Sequence, residues 1–204
     1  MRVYPSHIKT IDPEFLCTAY CNAYFPMADP TTKEISWYSP DPRAIFELDK
    51  FHIPHSLQLT LKKQNFEVRI NRQFEDVMRA CAEREETWIS EQIIKSYVQL
   101  HKLGIAHSVE VWKEKALAGG LYGVAIRGAF FGESMFSKVR DASKIALVHL
   151  VKRLKSRGYT LLDTQFLTPH LQRFGAREIS HKEYIKRLEK ALNINCSFNN
   201  IEEL

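Results

Sequence analysis

Asp163 and Gln165 stand two residues apart in Leu161-Leu162-Asp163-Thr164-Gln165-Phe166, alternating with Leu162 and Thr164. In a strand this spacing puts both polar side chains on one face. A carboxylate placed there can orient the amide, whose oxygen then accepts a hydrogen bond or a proton from an incoming amine. A buried polar bridge predicts the same spacing, and the residues alone leave both readings open.

Glu133 lies in Phe130-Phe131-Gly132-Glu133-Ser134-Met135-Phe136-Ser137, an acid between apolar neighbours. A carboxylate there needs a backbone N–H, a hydroxyl or a ligand amine as its partner. The glycines of Gly119-Gly120-Leu121-Tyr122-Gly123 fall in the preceding strand pattern, where they mark close approach of a ligand or another backbone. In Trp37-Tyr38-Ser39-Pro40-Asp41-Pro42-Arg43, two prolines stiffen the chain and Arg43 can grip a phosphate or an internal carboxylate. Trp88 just precedes a helix pattern, placed either to stack on a base or to fill the core. His107 and His170 are the histidines expected nearest a site. Gly-x-Ser-x-Gly, the P-loop and His-Glu-x-x-His are all absent. Cys17, Cys21, Cys81 and Cys196 are too scattered for a disulfide framework and have no histidines to complete a zinc tetrahedron. Neither a metal nor a cofactor is expected.

These groups sit in a chain of 204 residues, 45% hydrophobic and 26% charged, long enough for one large domain or two small ones. No apolar run reaches the roughly 18 residues of a membrane span, and Met1 to His7 lacks a signal-peptide core. A soluble, cytoplasmic protein is expected, without a membrane partner. Residues 138 to 190 carry 13 basic and 5 acidic groups, whereas residues 1 to 137 carry 16 and 17. Such a concentration of charge attracts a polyanion by counterion release, and it also suits a merely solvated face.

The elements follow from periodicity. Ile11 to Tyr24 reads as a short helix with Asp12 as N-cap and Pro13 at its first position. Leu57 to Lys63 reads as a helix end or connector, and Gln64 to Arg72 as a strand. Phe74 to Ala82 is helical, and so is the segment capped by Ser90 and stopped by Gly104. Ala106 to Trp112, Ala116 to Ile126 and Ala129 to Phe131 alternate as an antiparallel meander. Ala142 to Ser156 puts Leu147, Leu150, Val151 and Leu154 on one stripe and leaves Lys144, Lys152, Arg153, Lys155 and Arg157 outside it. A strand over Tyr159 to Phe166, a short helix or turn at His170 to Gly175 and a helix from Lys182 to Leu192 complete the order. The fold class is α+β: a small unit over 1–63, then a unit over 64–204 in which helices flank a mixed, largely antiparallel sheet.

Taken together, these segments resemble the leucyl/phenylalanyl-tRNA–protein transferase family. The matching pieces are Trp37 to Arg43, Thr87-Trp88-Ile89, Leu100-His101-x-Leu103-Gly104, Ala106 to Trp112, Gly119 to Val124, Gly132 to Ser137, Ala142-Ser143-Lys144-x-Ala146-Leu147 and Asp163-x-Gln165. The resemblance implies a small N-terminal domain followed by a GNAT-like acyltransferase domain. It implies an enzyme that moves Leu or Phe, with Met conceivable, from aminoacyl-tRNA to the N-terminal Lys or Arg of a protein, marking it for N-degron degradation. Carried over by motif, Asp163 and Gln165 form a relay beside the acceptor amine, Glu133 lies at the donor aminoacyl end and Trp88 packs on the terminal adenosine. The side-chain pocket draws on Leu121, Phe130, Met135, Leu147, Leu150, Leu154 and Leu162. The tRNA body lies on Lys144, Lys152, Arg153, Lys155 and Arg157. Where the family reads Phe-Pro-Trp, this chain reads Phe25-Pro26-Met27, with a thioether in place of a flat ring near the adenosine. The alternatives are a relative with another donor or acceptor choice, such as Arg or acidic N-termini, and a noncatalytic tRNA-binding protein.

Overall fold

The computed structural model describes residues 10–63 and 65–199. Met1 to His7, Gln64 at the start of the expected strand, and the acidic pair Glu202 and Glu203 lie outside the described residues.

Helix α1 (Pro13–Cys21) starts as its capping signal dictates, with Asp12 Oδ1 accepting from Phe15 N at 2.9 Å. It stops before the expected Tyr24 because Ala23 turns left-handed, at φ 67°. The chain then enters β1 (Phe25–Ala28), which pairs antiparallel with β2 (Ile35–Tyr38) in a two-stranded sheet. Next come β3 (Arg43–Phe46), α2 (His55–Lys62), β4 (Glu67–Ile70), α3 (Phe74–Ala82) and α4 (Glu91–Lys102). Where the sequence pattern predicts a helix end or connector, α2 is a full helix of eight residues. The meander is β5 (Ala106–Lys113), β6 (Ala116–Ile126) and β7 (Ala129–Ser137), the last running six residues past its expected end. Then follow α5 (Ala142–Ser156), β8 (Leu161–Gln165), α6 (Pro169–Gln172), β9 (Ala176–Ile179) and α7 (His181–Leu192).

Among the described residues, seven strands form one sheet in the order β4-β5-β6-β7-β8-β3-β9, mixed and flanked by helices as the element order predicts. Strand β3 comes from the first 63 residues yet lies between β8 and β9, so the chain boundary drawn at 63 does not coincide with a sheet boundary. One core holds α1, α3, α4 and α7 against the sheet; the other holds α5. No described helix is long and apolar enough to cross a membrane.

Two irregularities prepare the site. Strands β7 and β8 run parallel, and their register covers only Ala129↔Leu161, Phe130↔Leu162 and Phe131↔Asp163. Beyond that point β7 continues along β6 alone, and a gap opens between β7 and β8. At the gap each strand carries one extra residue: Glu133 in β7, between the partners of Gly123 and Tyr122, and Thr164 in β8, between the partners of Ile45 and Ala44. A bulge bends its strand and re-aims side chains, and bulges concentrate beside functional sites.

Candidate active site

A cavity of about 450 Å³ occupies this gap. Its lining includes Leu121, Met135, Leu147, Leu150 and Leu162, five of the seven apolar residues expected there. Phe130 and Leu154 do not line it. Phe130 is fully buried with its ring against Phe198 and beside Gly123, where any side chain would collide with it. Leu154 shares the stripe of Leu147 and Leu150 but lies one turn further along α5, beyond the end of the cavity. The stripe therefore serves two purposes, with only its N-terminal half open to a ligand.

Aromatic rings form another part of the lining. Phe25 of β1 packs edge-on against half-exposed Phe166 at 5.8 Å, and Met27 and Trp88 line the same wall. The connection between α3 and α4 brings Trp88 there, and Ala28 N donates to Trp88 O at 3.1 Å, tying that connection to β1.

Glu133 and Gln165 meet at the cavity. Gln165 Nε2 donates to Glu133 Oε1 at 2.9 Å, and Tyr20 Oη donates to the same oxygen at 2.7 Å. Tyr97 Oη donates to Oε2 at 3.4 Å and is also hydrogen-bonded to Tyr20. Burial dominates the Glu133 carboxyl and pushes its pKa up to about 8, against the pull of Tyr20 and, more weakly, of Arg43 and Gln165. With Nε2 committed to Glu133, the Gln165 amide has its oxygen left, and Gln165 lines the cavity. Nothing in the sequence marked Tyr20 or Tyr97 as partners of Glu133; they come from α1 and α4, 113 and 36 residues away.

Asp163 is placed otherwise than its spacing suggested. Its carboxylate does not touch the Gln165 amide; Oδ1 accepts from the main-chain N–H of Gln165 at 2.8 Å. It is fully buried, absent from the cavity wall, and paired with Arg43, itself 1% exposed. Of the two expectations for Arg43, the internal carboxylate is what the structure contains.

The five basic residues of the 144–157 segment do not form one surface. Lys144 Nζ is 2.6 Å from Asp141 Oδ1, and Lys155 Nζ is 3.0 Å from Asp49 Oδ1. Lys152, Arg153 and Arg157 line a groove between α5, α2 and the outer strand β4. Leu147 and Leu150 lie roughly half a turn around α5 from His149 and Lys152, so groove and cavity occupy opposite sides of one helix. His170 borders the cavity, its Nε2 buried without a partner among the described residues; His107 is buried elsewhere, stacked on Phe198. Among the described residues no group of three His, Cys, Asp or Glu side chains could hold a metal ion.

An apolar cavity bordered by the Gln165 amide suits a ligand with an apolar side chain and a polar group within reach of that amide. A family model described as leucyl/phenylalanyl-tRNA protein transferase matches residues 45–189, and one described as its N-terminal domain matches residues 9–41. A leucyl/phenylalanyl-tRNA–protein transferase of Gloeobacter violaceus is 52% identical, over 94% of this chain and 99% of its own. One of Rubrobacter xylanophilus is 54% identical, over 92% and 98%. Among solved structures, a GCN5-related N-acetyltransferase from Kribbella flavida superposes with a TM-score of 0.46 at 10% identity, over 69% of this chain and 55% of that one.

Proposed function

The chain belongs to the leucyl/phenylalanyl-tRNA–protein transferase family, and on that premise we propose that its cavity holds the side chain of Leu or Phe while the ester carbonyl waits beside Gln165. The observation that carries this reading is the Gln165 amide, tethered through Nε2 to Glu133 at 2.9 Å at the edge of a wall built from Leu121, Met135, Leu147, Leu150 and Leu162.

The chemistry asked of these residues is modest. An aminoacyl ester is already activated, and an α-amino group with a pKa of about 7.7 to 8 is partly neutral at cellular pH. Gln165 Oε1 accepts a hydrogen bond from that amine and aims its lone pair at the carbonyl. The C–N bond forms, the C–O ester bond breaks, and the amine's proton ends on the departing ribose oxygen. Orientation supplies the larger part of such an acceleration. Glu133 holds the amide and lies at the donor's aminoacyl end. Trp88, with Met27, packs on the terminal adenosine, and the tRNA backbone runs along the groove of Lys152, Arg153 and Arg157, bound by charge more than by sequence.

The acceptor in this reading is a protein beginning with Lys or Arg, and the product is a substrate for N-degron degradation. Five apolar side chains discriminate among apolar donors by only about 1 to 3 kcal/mol, so Met transfer accompanies Leu and Phe. The test is a panel of charged tRNAs against peptides beginning Lys, Arg, Asp or Glu. Transfer of Leu and Phe to the basic peptides is the expected result. Transfer of Arg without Leu or Phe overturns the donor assignment, transfer to acidic N-termini alone overturns the acceptor, and tRNA binding with no modified peptide leaves a noncatalytic binder.

A further inference from the structure

Gln165 is left-handed, at φ 59°, and is not a glycine. A side chain in that region costs of order 1 to 3 kcal/mol and persists only where its surroundings hold it. Here the hold is a chain of contacts that reaches no substrate. Asp163 Oδ1 accepts from Gln165 N at 2.8 Å, an aspartate bonding the backbone two residues on, across the extra residue Thr164.

The carboxylate is itself fixed. Arg43 Nε donates to Oδ1 at 3.0 Å, Arg43 Nη2 to Oδ2 at 2.6 Å, and Tyr184 Oη to Oδ2 at 2.6 Å. The guanidinium is immobilised in turn: Nη1 donates to Ala23 O at 3.1 Å, and its carbon lies 4.8 Å from the Phe25 ring centre and 4.6 Å from that of Tyr184. Arg43, Asp163 and Tyr184 are all buried, and none lines the cavity. A fork of this kind sets the rotation of a carboxylate as well as its position.

We propose that Arg43 and Tyr184 are positioning residues of the transfer reaction, acting through the Asp163 carboxylate on the main chain of Gln165 and so on the direction of its amide oxygen. The inference rests on the role given above to Gln165. It makes the contribution of Asp163 geometric: what matters is an acceptor for one N–H, and the negative charge matters only for its match to Arg43.

Two double variants separate geometry from charge. Arg43→Met with Asp163→Asn removes both charges and keeps a side-chain oxygen for Gln165 N–H; Arg43→Met with Asp163→Leu removes both charges and the acceptor. Neither leaves an unpaired buried charge, the usual reason such variants fail to fold. Expected is a kcat within about ten-fold of wild type for the first and a loss of about a hundred-fold for the second, with KM for aminoacyl-tRNA and peptide unchanged in both. Equal losses make charge the operative property, and wild-type kcat in both makes the cluster structural only; either overturns the proposal. Tyr184→Phe, which deletes one hydroxyl and keeps the ring over Arg43, is expected to lower kcat about five-fold at constant KM; unchanged kcat removes Tyr184 from the scheme. Crystal structures of the two double variants give a reading independent of activity. Gln165 should stay left-handed in the Asn form and leave that region in the Leu form, and a left-handed Gln165 in both overturns the proposal even if the wild-type protein transfers no amino acid.

Discussion

Gln165 Nε2 and Glu133 Oε1 are 2.9 Å apart across the gap between β8 and β7, and each residue belongs to a strand carrying an inserted residue at that level. The contact turns the N–H end of the amide toward Glu133, whose Oε1 accepts from Nε2, and leaves the amide oxygen for the cavity. Gln165→Ala is therefore expected to lower kcat for peptide aminoacylation by about a hundred-fold or more. The affinity for aminoacyl-tRNA should change little, since the alanine leaves the apolar side chains of the cavity, Leu121, Met135, Leu147, Leu150 and Leu162, in place. Peptide aminoacylation and tRNA binding measured side by side check this, and a fall in affinity with unchanged turnover would place Gln165 in donor binding instead.

Glu133 makes stability depend on pH. Its pKa is about 8 when folded, raised chiefly by burial, against an ordinary 4.5. Below about pH 4.5 the group is protonated in both states and the stabilising contribution is fully present. As pH rises toward 8 the unfolded chain ionises and the folded one does not, so stability falls through that window. Glu133→Gln removes the titration while keeping an acceptor for the Tyr20 and Tyr97 hydroxyls. Its melting temperature relative to wild type should rise between pH 5 and 8, and a pH-independent difference counts against a buried, proton-holding Glu133.

Much of the frame was legible because local signals agreed with tertiary ones. The Asp12 and Ser90 caps and the α5 stripe appear where periodicity puts them, and the meander does so apart from the longer β7. The strands β1, β2, β3 and β9 carry little strand signal: β3 is buried at all four positions, β9 does not alternate, and β1 contains a proline, whereas β4 of the same length lies in the alternating Phe66, Val68 and Ile70. Bulges leave no mark in a hydrophobic pattern. Asp163-x-Gln165 announced a polar pair, but only the insertion at Thr164 shows that the link runs through the main chain. Phe130 and Leu154 were misassigned to the cavity for a related reason: a stripe states which face is buried and not where along it the packing opens.

That correction has a consequence for donor choice. Leu150→Ala enlarges the cavity and should raise kcat/KM for Phe relative to Leu, within the roughly 1 to 3 kcal/mol that methylene-scale contacts provide. Leu154→Ala empties a core position and should cost about 2 to 5 kcal/mol of stability while leaving the Phe to Leu ratio unchanged. Competition between the two charged tRNAs, alongside chemical denaturation, distinguishes them. An altered ratio in Leu154→Ala would extend the cavity further along α5 than its walls indicate.

The division of basic side chains makes the salt dependence of tRNA binding specific to position. Lys152→Ala and Arg157→Ala, in the groove, should each reduce the slope of log K against log salt by up to about one. Lys144→Ala and Lys155→Ala should change it less, since those ammonium groups already face Asp141 and Asp49. Transfer from aminoacyl-adenosine, which lacks a tRNA body, should be unaffected by any of the four. Loss of activity with that minimal donor in Lys152→Ala would show that the groove communicates with the cavity.

Met27 lines the cavity together with Trp88 and Phe25, at the position where the resemblance to the family implies a tryptophan after Phe-Pro. A thioether fills irregular space and adapts to its neighbours, but it offers a base no flat face. Stacking of a base on an aromatic side chain contributes about 1 to 3 kcal/mol. Met27→Trp is therefore expected to tighten aminoacyl-adenosine binding by roughly ten-fold, at the lower end of that range because Trp88 already supplies one ring. Titration of the variant with aminoacyl-adenosine checks the gain. Unchanged affinity would mean that the adenosine rests on Trp88 alone.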